Sequence, residues 1–165
     1  MSNIEAAVLA DTLQKTRDLT RWYFSLLKNA DPYHQPEING VKLNSIAWLG
    51  AHLVWAEDFL VLRGTGGEGT GIEWLEHYKL GSDGSLHTAQ PDMKEILDAL
   101  KLVHEKATAH LLSLTDEEIN QENPYGISFS GTSTKKMLVQ HCIRHEAMHT
   151  GHLSWLCKLN SVKAV

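Results

Sequence analysis

The sequence predicts an all-α protein, a four-helix bundle formed by a single domain over residues 1–165. Three observations predict it. Four long segments repeat apolar residues at the helical spacing i, i+3, i+4. Clusters of proline, glycine and asparagine separate them, and strand-like alternation is absent except over Ile127 to Phe129.

The first segment runs from about Asn3 to Asn29, with Ile4, Val8, Leu19, Trp22, Tyr23, Leu26 and Leu27 as its expected inward stripe. Asp31-Pro32 and Pro36 end it, and Asn39-Gly40 marks a turn. The second runs from about Ser45 to Arg63, with Asn44 as N-cap and Gly64 as stop. It is apolar on most sides until Glu57, which predicts burial along most of its length.

Residues 64–90 break the pattern. Seven of the twelve glycines fall between Gly64 and Gly84, interrupted by an apolar-aromatic island from Ile72 to Tyr78. This reads as a long structured connection with one helical turn, either functional or a packed decoration. The third segment runs from about Asp92 to Leu114, with Pro91 near its first turn and Ile96, Leu97, Leu100, Val103, Ala107, Leu111 and Leu114 as its stripe. Thr115 to Glu118 reads as a cap that opens one short further turn. The fourth segment runs from about Ser133 to Leu159, entered through Ser130-Gly131-Thr132. The long second connection is able to cross the bundle end and let helices two and three run parallel.

Composition narrows the function. Fifteen Lys and Arg against twenty Asp and Glu give a formal charge of -5, which argues against a nucleic-acid partner. No apolar run reaches the roughly 18 residues of a membrane span, and the start, MSNIEAAVLADTLQKTRD, resembles neither a signal nor a transit peptide. Cys142 and Cys157 would sit about 22 Å apart on one helix, too far to bond each other. A reducing cytoplasm is the expected compartment.

Of ten histidines, His141, His145, His149 and His152 lie within twelve residues of the fourth segment. With His145 at the origin and about 100° per residue, the others fall near -40°, +40° and -20°, inside a sector of roughly 80°. Leu138, Cys142, Met148, Leu153, Leu156 and Leu159 share that sector, so the imidazoles are expected to enter the core. Buried imidazoles left unpaired are costly, and two solutions exist: a hydrogen-bond network or a metal ion. Histidines one turn apart can bite one cation, and His52, flanked on its helix by Trp48, Leu49, Trp55, Ala56 and Phe59, also points inward. Spacing alone leaves His141/His145, His145/His149 and His149/His152 open as the pair. Three neutral nitrogens with an open fourth position suit zinc, with nickel or iron as alternatives. His145 to His149 also satisfies the short HExxH pattern, but the sixteen residues beyond lack an acid, and Glu146 is expected at the helix edge in solvent.

The segments Ala51-His52-Leu53-Val54-Trp55-Ala56-Glu57 and His141 to Leu153, with the chain length and the long second connection, resemble the DinB-like superfamily, the DinB/YfiT-like metalloenzymes. The resemblance implies a bundle in up-down-down-up order, a divalent metal on His52, His145 and His149, and a homodimer. His152 stands where the family commonly has glutamine. Some branches resemble transferases or isomerases that use low-molecular-weight thiols, and others resemble hydrolases.

An open position on a three-histidine metal activates water or holds a substrate thiolate. The expected function is therefore a metal-dependent hydrolase or thiol transferase acting on a small molecule. The alternative is a noncatalytic bundle with a structural metal or a histidine network. Trp48, Trp55, Trp74, Tyr78 and Tyr125 are candidate pocket or core aromatics. Asp11 and Lys15 read as a salt bridge at the bundle end, and Cys142 reads as a packed thiol rather than a fourth ligand.

Overall fold

A computed structural model describes residues 2–82, 90–129 and 131–163, and it is mostly helical. Gly84 and the other residues of 83–89, and Ser130 at the entry to the last helix, lie outside the described residues. The long helices are α1 (Ile4–Leu26), α2 (Ile46–Glu57), α3 (Met93–Ser113) and α5 (Lys135–Leu159), with a short α4 at Asp116–Ile119. Strands β1 (Glu37–Ile38) and β2 (Val41–Lys42) form a small antiparallel hairpin. Asn39 and Gly40 make its turn with φ of 51° and 78°, the paired positive values that an Asn-Gly hairpin turn requires.

Helix α1 packs chiefly against α5 and α3, and α2 against α3 and α5. The inward face of α1 matches the expected one only at its C-terminal end, where Leu27 is buried and Tyr23 and Leu26 pack against the core. Ala6, Leu9, Ala10, Leu13 and Phe24 are buried together with Arg17 and Thr20, whereas Ile4, Val8, Leu19 and Trp22 face outward. Two polar residues in the true core face blur its apolar signal, and the outer stripe imitates one. Asp11 and Lys15 lie on the exposed side, 2.6 Å apart.

Helix α2 is capped by Ser45 rather than Asn44. The Ser45 hydroxyl accepts from the Trp48 backbone N–H at 3.1 Å. All twelve residues of α2 are buried, Glu57 included. The chain does not stop at Gly64. It continues as a π-helical stretch over Asp58–Leu62 and a 3₁₀ turn over Arg63–Thr65, ending at Gly66 with φ 100°. Gly50 lets α2 approach α3 closely, since a Cβ there would lie 2.7 Å from Ile96 Cγ2.

In the long connection, where one helical turn is expected, Glu73–Tyr78 forms a short 3₁₀ helix and buries Leu75 and Tyr78. Asp58 anchors it by accepting from both the backbone N–H and the hydroxyl of Thr70 at 2.8 Å. Capping boxes open α3 (Asp92 with Glu95) and α4 (Thr115 with Glu118), and Thr134 caps α5. Leu97 is half exposed, unlike the rest of the α3 stripe. None of the described helices is long and apolar enough to cross a membrane.

Candidate metal centre

Three imidazoles from two helices meet at one point. His52 projects from the middle of α2, and His145 and His149 project from consecutive turns of α5. The Nε2 atom of His145 lies 3.1 Å from Nε2 of His52 and 3.0 Å from Nε2 of His149. One ligand atom from each ring lies within 4.8 Å of the others. Tetrahedral zinc with Zn–N of about 2.0–2.1 Å needs ligand atoms about 3.3 Å apart, so the trio has the right span for one ion.

The surroundings set the protons. His52 donates from Nδ1 to the Tyr78 backbone carbonyl at 2.6 Å, which leaves Nε2 as a lone pair aimed at the other two rings. Trp48 stacks on His52 at 4.6 Å between centroids, and Trp55 does so at 5.6 Å. The Nδ1 atoms of His149 and His152 are 3.1 Å apart, and with His149 as donor its Nε2 is free in the same way. Nδ1 of His145 is buried and has no partner among the described residues.

Burial, then the neighbouring imidazoles, pushes His145 down to about 4 and His149 down to about 3. Burial also lowers His52, against the Tyr78 carbonyl bond that opposes it. At neutral pH the three rings are uncharged, and the Nε2 lone pairs of His52 and, with His149 as donor to His152, of His149 both confront Nε2 of His145 at hydrogen-bond distance. A cation relieves that confrontation, and the donor set of three neutral imidazoles is one that divalent zinc, nickel or iron accepts.

The structure thus brings together His52, His145 and His149 and leaves the other candidates aside. His141 stacks on Phe129, with centroids 4.0 Å apart. His152 is exposed and touches the trio only through Nδ1 of His149. Cys142 is buried, with its thiol pushed well up by burial and by the carboxylates of Glu57 and Glu146, as befits a packed cysteine. Met148 and Leu159, expected inside, are exposed, and Thr150, expected outside, is buried against Thr20. Trp48, Trp55 and Tyr78 are buried, whereas Tyr125 stacks on Phe59 nearer the surface.

A family model for the DinB superfamily matches residues 12–153, which include all three histidines of the trio. The chain belongs to the DinB superfamily. No curated protein matches the sequence. Within this DinB-superfamily chain, two features around the trio that sequence reasoning missed are the Tyr78 carbonyl and the burial of Glu146. A backbone acceptor has no side-chain signature to read. Glu146 is 1% exposed rather than solvated, because Arg17 of α1 reaches it with Nε at 2.7 Å from Oε1. The signal in the sequence is an arginine on the same face of α1 as Ala6, Ala10, Leu13 and Phe24.

Proposed function

We propose that this DinB-superfamily protein is a divalent-metal-dependent enzyme acting on a small molecule by hydrolysis or thiol transfer, with His52, His145 and His149 as the metal ligands. The observation that supports it is the convergence of three Nε2 atoms from α2 and α5, with the His52 proton drawn away to the Tyr78 carbonyl. A bound divalent ion, zinc or nickel before iron, supplies a positive charge and an open position for water or a substrate thiolate. The chain's own residues orient and shield that position: the Trp48 and Trp55 rings flank His52, and the Glu73–Tyr78 turn holds its Nδ1 proton.

The reading assigns a small-molecule substrate, such as a low-molecular-weight thiol, to an apolar cleft of about 400 Å³ whose lining includes Ile38, Lys42, Leu49, His152, Trp155 and Leu156 but none of the three ligands. His152 joins this cleft to His149. A larger cleft of about 500 Å³, lined by residues including Phe24, Leu27, Met93 and Leu97, contains none of the histidines.

The same reading takes the chain as one domain, a four-helix bundle in up-down-down-up order, which pairs with a second copy. The outward residues Ile4, Val8, Leu19 and Trp22 of α1 support the pairing. It also sets the protein in the cytoplasm with no nucleic-acid or membrane partner, in keeping with the net charge of -5 and the unbridged thiols of Cys142 and Cys157.

Metal analysis of the purified protein, with zinc and nickel titrations of the stripped form, tests the centre. Wild type is expected to hold one ion per chain, and His52→Ala and His149→Ala to lose it while remaining helical by circular dichroism. Equally low metal in all three proteins would sink the proposal. A panel of thiol conjugates, esters and amides, run with loaded protein, then separates the reaction classes.

A further inference from the structure

Arg17 is 1% exposed, and its guanidinium reaches three other helices. Nε and one terminal nitrogen grip both oxygens of Glu146 on α5 at 2.7 and 3.0 Å. The same terminal nitrogen donates to Glu57 Oε2 on α2 at 2.8 Å, and the other donates to the Leu100 carbonyl on α3 at 3.0 Å. The second oxygen of Glu57 faces His104 Nδ1 at 2.8 Å, and His104 Nε2 faces Gln14 Oε1 of α1 at 2.9 Å. Gln14 is fixed in that orientation by donating to Asp18 at 2.8 Å. Four long helices therefore share one buried polar node. Burial works against the Arg17 charge, but the Glu146 and Glu57 carboxylates outweigh it and hold the pKa above its ordinary value.

Such a node is a poor way to gain stability, since desolvating several charges offsets most of their attraction and apolar side chains of the same volume often do as well. Its placement suggests a different role. Glu146 directly follows His145 and precedes His149 by one turn, and Glu57 lies on the same helix as His52. Both helices that carry the histidine trio are thus held by one planar guanidinium. A two-pronged grip resists rotation and sliding in a way that greasy packing does not. Metal ligands must be held to within about 0.5 Å, a tolerance that a one-residue slip or small rotation of α5 against α2 exceeds.

We propose that Arg17 is a positioning residue for the three-histidine centre: by holding Glu57 and Glu146 together it fixes the register of α2 against α5, and so the convergence of His52 on His145 and His149. The proposal rests on the metal-binding reading above.

The test uses cobalt(II) as probe, because its visible spectrum reports ligand geometry as well as occupancy. In the triple variant Arg17→Met, Glu57→Leu, Glu146→Leu the three charged side chains become apolar, while His104 Nδ1 and the Leu100 carbonyl lose their Glu57 and Arg17 partners. It is expected to remain folded by circular dichroism, yet to bind cobalt at least tenfold more weakly and with an altered visible band. Arg17→Lys keeps the charge but loses the fork, and is expected to show the same spectral change in a folded protein. Wild-type cobalt affinity and spectrum in either folded variant would overturn the positioning role. If wild-type protein takes up no cobalt, the metal reading itself fails and the positioning role goes with it.

Discussion

His52 and Tyr78 are joined by a hydrogen bond of 2.6 Å, from the ring Nδ1 to a backbone carbonyl in the long connection between α2 and α3. The connection is therefore part of the candidate centre rather than a decoration. The Tyr78 side chain is 2% exposed and anchors the turn that presents the carbonyl. Tyr78→Ala should loosen that turn and let the His52 ring change tautomer or swing. Partners of this kind typically contribute 10–100-fold to metal affinity, and a loss of about that size is expected on zinc titration. Unchanged affinity in a folded variant would separate the connection from the centre.

Two ion pairs in this chain differ in environment, and their removal should differ accordingly. Asp11 and Lys15 form an i, i+4 pair with side chains 65% and 71% exposed, so Asp11→Ala should change stability by no more than about 0.5 kcal/mol. Glu146→Ala strips the buried Arg17 of its two-pronged partner and should destabilise by about 3–5 kcal/mol. Urea denaturation of the two variants beside wild type reads both. A Glu146→Ala midpoint close to that of Asp11→Ala would mean that Arg17 finds water or another partner.

The choice of His52, His145 and His149 comes from the family resemblance, because spacing leaves three pairs open on α5. Periodicity by itself turns the histidine cluster of α5 and the single imidazole in the apolar run of α2 inward. It fails for α1, where Arg17 and Thr20 interrupt the buried face and Ile4, Val8, Leu19 and Trp22 mark the opposite one. A one-dimensional pattern weighs each residue by its own hydropathy. It scores a buried arginine as surface even when two carboxylates from other helices wait for it. The same blindness put Glu146 in solvent. The helical continuation of α2 past Glu57 is expected as far as Arg63, but its π-helical character escapes for a related reason, since the tie between Asp58 and Thr70 that accompanies it is made across twelve residues.

The outer stripe of α1 gives the homodimer proposal a specific test. Ile4, Val8, Leu19 and Trp22 are 69%, 60%, 50% and 37% exposed, and they follow one another at spacings that keep them on one side of the helix. If a second copy covers this face, wild type sediments at twice the 18.5 kDa chain mass, and Val8→Lys with Leu19→Lys sediments as the single chain. Because both positions point away from the histidines, zinc binding should survive in the double variant. A wild-type monomer at micromolar concentration would remove the proposal.

Acid should act on the metal-free protein through His145 and His149. Burial and mutual proximity hold them at about 4 and about 3 in the folded chain, against about 6.5 for a histidine in the unfolded chain. Between those limits the unfolded chain binds more protons than the native one, so stability rises with pH across that window. The full contribution is present above about pH 6.5 and is lost as the pH falls toward 4 and then 3. Urea midpoints of stripped protein should therefore drop between pH 7 and pH 5, and His149→Ala should flatten the slope. The same depressed values have a second consequence. With the rings already neutral at pH 7, metal uptake should displace almost no protons from them. Zinc titrations at pH 7 in buffers of different ionisation enthalpy should then give nearly the same heat. A buffer dependence greater than one metal-bound water losing its proton can supply would mean that at least one ring is protonated before the ion arrives.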